Sequence, residues 1–171
     1  MGSYEESSAL AASTGSTPDV RDTRQEGRKK YGCSLNAQRL LAPDLGAFLR
    51  LGWNDGKTET FAFTEIDRNA VLGLSHSGTP WKRPEDRVIL AVAVDGLSGP
   101  HRRYLEAGGL GFQLGDGKLN YGLETVIELN YAAQVTTAVS VGLDGQYVVN
   151  PGYNKDRGPI TIYGIRLHVH I

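Results

Sequence analysis

From Lys30 to the last residue, apolar side chains alternate with polar or small ones at a period of two. A strand turns successive side chains to opposite faces, so this pattern builds one oily and one wet surface on a sheet. The alternation runs in long stretches separated by turn residues, which is the signal of strands.

Residues 31–38 place Tyr31, Cys33, Leu35 and Ala37 on one side, with Ser34, Asn36 and Gln38 on the other. Pro43 and Asp44 form a turn into residues 45–53, where Leu45, Ala47, Leu49, Leu51 and Trp53 oppose Arg50. Asn54, Asp55 and Gly56 read as a hairpin turn. Residues 58–77 keep a single phase and read as one long strand. Ala62, Ile66, Ala70, Leu72 and Leu74 lie on one face, and Phe61, Phe63, Glu65, Asp67, Asn69, Ser75 and Ser77 on the other. A break at residues 67–69 would divide this stretch into two strands. A polar turn with Pro80 and Pro84 precedes residues 87–95, whose valines and leucine alternate with Ala91, Ala93 and Asp95. Residues 123–135, 138–149 and 160–171 supply three more strands. The last carries Arg166, His168 and His170 on one face, which cannot be a dry core. The expected fold is all-β, with about seven to eight antiparallel strands.

Between these strands the longest connection, 96–122, contains a short helix predicted over 100–107, capped by Ser98 and ended by Gly108. The first 28 residues read as a polar lead-in rich in Ser, Thr, Ala and charge, compatible with a short helix over 5–12, and residues 29–171 form the sheet. Met1 to Ala12 has neither the basic start nor the apolar core of a signal peptide. No run of about 18 apolar residues marks a membrane helix, but a barrel leaves none. A net charge of −1 gives no reason to expect nucleic acid. Cys33 reads as a small apolar side chain, since no base lies near it in sequence.

Alternation leaves open whether protein or lipid covers the apolar face, because a soluble β-sandwich that binds carbohydrate or another protein alternates too. Strands of about 10–13 residues exceed the usual length and match a tilted bilayer crossing. Short turns at 42–44 and 136–137 contrast with long connections at 96–122 and 150–159, the asymmetry of outer-membrane barrels. The tight turn at 54–56 falls on the wrong side of that pattern.

Three blocks carry a family resemblance: LGWNDGKTETFAFTEIDR at 51–68, GGLGFQLGDGKLNYG at 108–122 and VNPGYNKDRGP at 149–159. Together, in order and spacing, they resemble segments of the carbohydrate-selective porin family over roughly residues 14–171. The resemblance implies a monomeric barrel of about sixteen strands in the outer membrane, passing sugars by diffusion, without enzymatic activity or cofactor. It places this chain at the C-terminal end of such a barrel, whose last strand engages the barrel-assembly machinery. Those proteins usually finish on an aromatic residue, and here Ile171 stands in that place.

On that reading the lumen-facing candidates are Arg50, Phe63, Glu65, Asp67, Glu128, Asp144, Arg166 and His168, a mixture suited to exchanging water for sugar hydroxyls. Any wet lumen is polar, so each residue taken singly has that plainer explanation. Glu65 and Asp67 are the densest acidic pair and the candidate constriction. Their spacing of about 6.5 Å along a strand also permits a glycosidase acid and base, although nothing else resembles a cleft. His168 and His170 lack a third metal ligand. GDGK at 115–118 departs from the phosphate-loop pattern and reads as a turn. Trp81 and Tyr163 suit an interfacial belt, while His101, Arg102, Arg103 and Tyr104 on the loop helix are expected at a solvated surface.

Overall fold

Seven strands form one antiparallel sheet in simple chain order in the computed structural model, which describes residues 1–60 and 65–169. They are β1 (Gly32–Ala42), β2 (Leu45–Asn54), β3 (Arg68–Gly78), β4 (Arg83–Gly96), β5 (Glu124–Gln134), β6 (Val139–Val149) and β7 (Ile160–Val169). Every neighbouring pair is antiparallel, and the register keeps like with like. Leu35, Leu51, Ala70, Val94, Thr125 and Val149 follow one another across β1–β6, as do Leu49, Leu72, Val92, Ile127, Tyr147 and Thr161 across β2–β7. Among the described residues, β1 and β7 each pair on one side only, so the sheet is open.

The apolar face is bare. Leu72 is 61 % exposed, Leu129 55 % and Ile165 82 %, and no second sheet packs on them among the described residues. A soluble sandwich buries such a row, so the sandwich alternative does not describe this chain. Cys33 lies exposed on this face of the edge strand β1.

Connections alternate strictly in length. Residues 43–44, 79–82 and 135–138 close short turns at one end, while 55–67, 97–123 and 150–159 span the other. The hairpin expected at 54–56 and the single strand expected at 58–77 are both replaced by the 55–67 connection, and the apparent exception to the asymmetry disappears. The cause is local. Asn54 Oδ1 accepts the Gly56 N–H at 2.9 Å and its amide donates to Ile66 O at 2.9 Å, folding the chain away from the ladder before Arg68 rejoins it. Gly56 itself has φ 55°. Thr58 touches strand-like structure only through an isolated bridge to Ser3. Phe63, and with it the alternation read at 61–64, lies outside the described residues, as do His170 and Ile171.

The buried core sits above the long-loop end. Helix α1 (Tyr4–Thr14) begins at Ser3, whose side chain accepts the Glu6 N–H, and stops at Gly15 in the left-handed region. It is longer than the helix read at 5–12 and packs on α2 (Gly99–Glu106), capped by Ser98 as expected. Tyr4, Val20, Leu97, Tyr104, Leu105 and Tyr153 are buried together, with Leu114, Leu119 and Tyr121 against them. The polar lead-in is thus part of a folded cluster. Its hydrophobic anchors are too few and too widely spaced along the sequence to announce it.

Candidate functional site

The polar face of the sheet has two regions. Toward the short turns it is open, and toward the long connections it is covered. Gly152 N–H of the 150–159 connection donates to Glu124 Oε2 at 2.6 Å. Val148, whose side chain belongs to the polar face, is buried there. The loop cluster is therefore tied onto the polar face, not held away from it.

In the open region, four of the predicted residues fall together. Glu128 stands opposite Gln146, Asn130 opposite Asp144, Gly142 opposite Arg166 and Ser140 opposite His168. The Gln146 amide donates to Glu128 Oε2 and to Asp144 Oδ2, each at 3.2 Å, and so links two like-charged groups. Arg50 is also on this face but on β2, across the sheet from that ladder. The ladder offers acceptors and donors two residues apart, suited to transient exchange with hydroxyls.

Glu65 and Asp67 do not share that surface, and this corrects their expected place on a lumen-facing strand. Both are buried inside the loop cluster. Glu65 accepts three backbone N–H groups, from Phe112 at 3.1 Å and from Gln113 and Leu114 at 2.8 and 2.9 Å. Asp67 Oδ2 accepts the Ser98 N–H at 2.9 Å and lies 2.9 Å from His101 Nδ1. An ionised carboxylate only accepts, so Nδ1 carries the proton in that bond. His101 Nε2 stands 4.0 Å from Glu65 Oε1, and Lys30 Nζ 3.9 Å from Asp67 Oδ1. Burial alone would push the Asp67 carboxyl up, but the His101 bond and charge, the Ser98 N–H and Lys30 together hold it below the usual carboxylate range. Burial, aided by Glu65 and Asp67, pushes the Tyr4 phenol far up. Both acids are buried, Glu65 is held by three backbone N–H groups and Asp67 by Ser98 and His101, an arrangement unlike the two carboxylates that face a sugar in a glycosidase.

His101 and Tyr104 are fully buried, not solvated as read from sequence. The Tyr4 ring stacks on His101 at 4.2 Å and 7°, and the Tyr104 hydroxyl accepts from Val20 N–H and donates to Leu110 O. The signal was present in the spacing: His101, Tyr104 and Leu105 lie three and four apart on one face of α2, with Arg102 and Arg103 turned away from it. At the short-turn end Trp81 stacks near His76 at 6.0 Å, and Tyr163, 84 % exposed on the apolar face, continues the mid-sheet row of Leu74, Leu90, Leu129 and Gly145.

The family model described as carbohydrate-selective porin, OprB family, matches residues 4–171. Among solved structures, OprB of Pseudomonas putida at high pH superposes with a TM-score of 0.69 at 20 % identity, over 82 % of this chain and 35 % of that one. That likeness is one of fold, and the chain spans about a third of the porin's length. No curated protein matches the sequence.

Proposed function

Since this chain belongs to the carbohydrate-selective porin, OprB family, we propose that its sheet forms part of the wall of a sugar-conducting channel in the outer membrane. The apolar face meets lipid, the polar face borders water, and the long connections lie at the external mouth. The observation that carries this reading is one face on which Leu35, Leu51, Leu72, Leu90, Leu129, Leu143 and Ile165 stand exposed from β1 to β7. A charge on that face would be expensive in hydrocarbon, and the row Leu74, Leu90, Leu129 and Gly145 across β3–β6 holds neither charge nor hydroxyl.

Arg50, Glu128, Asp144, Arg166 and His168 line the channel on this proposal and trade water for sugar hydroxyls, while Glu65 and Asp67 hold the mouth in shape from within. The loop cluster narrows the external end because Gly152 of the 150–159 connection is bonded onto Glu124 of the polar face. The complete barrel acts as a monomer and is assembled through its C-terminal strand. Such a channel needs neither cofactor nor covalent chemistry. The proposal is tested in liposomes: the closed barrel is expected to admit glucose fast enough to swell them. Vesicles that stay sugar-tight while the same protein conducts small ions would remove the sugar reading.

A further inference from the structure

The polar face holds one aromatic ring in an unusual posture. Phe48 on β2 is the cross-strand partner of Gly73 on β3. A Cβ built on Gly73 would fall 2.1 Å from Phe48 Cζ and 2.4 Å from Cε1. The ring therefore lies down across bare backbone, with its lower face on the glycine, and any side chain at 73 would lift it. Ala91, the next residue across on β4, keeps the floor low.

The upper face of the ring borders a basin of about 960 Å³ that includes Asn36, Gln38, Arg50, Ser75 and Arg87. This lies within the roughly 300–1,000 Å³ of small-ligand sites. The Arg50 guanidinium lies over the ring, its carbon 5.4 Å from the centroid, so a sugar stacking there takes the place of this cation. Gln38 stands opposite Phe48 and Asn36 opposite Arg50. The Arg87 guanidinium reaches Ser75 Oγ at 3.3 Å, and among the described residues neither arginine is ion-paired. A flat apolar platform ringed by amides and by guanidinium donors that no carboxylate holds matches a molecule with one C–H face and a rim of hydroxyls.

We propose that Phe48, laid flat on Gly73, is a stacking platform for a neutral pyranose, with Arg50, Arg87, Asn36 and Gln38 bonding its equatorial hydroxyls. This subsite rests on the sugar-channel reading and adds to it a defined stop on the side of the sheet away from the Glu128–Arg166 ladder. Weak stacking suits transit, because a tightly held sugar would not leave.

The test is a D-glucose titration of the full chain in detergent micelles, followed by NMR of labelled Phe and Arg side chains. Glucose is expected to shift Phe48, Arg50 and Arg87. F48A should weaken the affinity roughly tenfold while F48Y preserves it. G73V keeps the aromatic but lifts the ring, and should weaken binding comparably. Equal affinity in wild type, F48A and G73V would overturn the platform. So would shifts confined to Glu128, Asp144 and Arg166, which would leave the sugar channel standing. Inorganic phosphate shifting both arginines while glucose leaves Phe48 unmoved would likewise overturn the pyranose assignment. Absence of any glucose contact in the chain would remove the sugar reading together with the subsite.

Discussion

Gly111 illustrates how much of the loop cluster is decided by single atoms. A Cβ there would stand 1.9 Å from Glu65 Oε1, so only glycine lets the 112–114 backbone close around that carboxylate. Gly111→Ala is expected to open this turn and cost about 1–3 kcal/mol, the desolvation penalty of buried donors left unpaired. Glu65→Gln should cost a comparable amount, because its amide nitrogen cannot accept where a carboxylate oxygen did. Both effects would appear as faster hydrogen exchange at Phe112, Gln113 and Leu114, with strand amides unchanged. These contacts explain why the acidic pair was misplaced by sequence reasoning: Glu65 and Asp67 continue the phase of β3, and alternation does not distinguish a lumenal carboxylate from one swallowed by a loop. The shared face of Arg50, Glu128, Asp144, Arg166 and His168 was legible because each sits inside a ladder whose phase is fixed by apolar neighbours.

Among the elements, the strands were the most legible and their connections the least. Long alternating runs fixed the faces of all seven strands, and the helix at 99–106 was announced by Ser98 and Pro100. Residues 55–60 and 65–67 were hidden because their path depends on Asn54, Ser3 and Asp67 reaching partners distant in sequence. Asp67 ties this connection to α2 and gives the cluster a defined acid response. Its folded pKa lies below its unfolded value, so its stabilisation is complete above about 3.9, the unfolded reference, and is lost as pH falls through the folded value. The tyrosine near-ultraviolet dichroism of Tyr4, Tyr104 and Tyr153 should therefore hold through neutral and mildly acidic pH and decline below the ordinary aspartate range. Asp67→Asn should weaken that signal at neutral pH and flatten its acid decline. A wild-type signal that grew on acidification would contradict the assignment of Asp67 as the anchoring anion.

At the scale of the molecule, stability is divided between two solvents. The loop cluster has a buried protein core, whereas the sheet leaves its apolar rows for another phase to cover. Leu72→Arg, in the middle of β3 on the apolar face, should destabilise the bilayer-inserted protein by about 2–4 kcal/mol. Ser75→Arg, three residues on and on the opposite face, should change stability by only about 0.5 kcal/mol in either direction. Denaturant midpoints in vesicles compare the two. The most direct test of the account is accessibility along β3 in a bilayer. With Cys33→Ser as background, spin labels are placed singly at positions 70 to 75 and exposed in turn to oxygen, which partitions into lipid, and to a water-soluble nickel chelate. The account predicts oxygen maxima at 70, 72 and 74 and nickel maxima at 71, 73 and 75, in opposite phase. Nickel access at both sets of positions would contradict it.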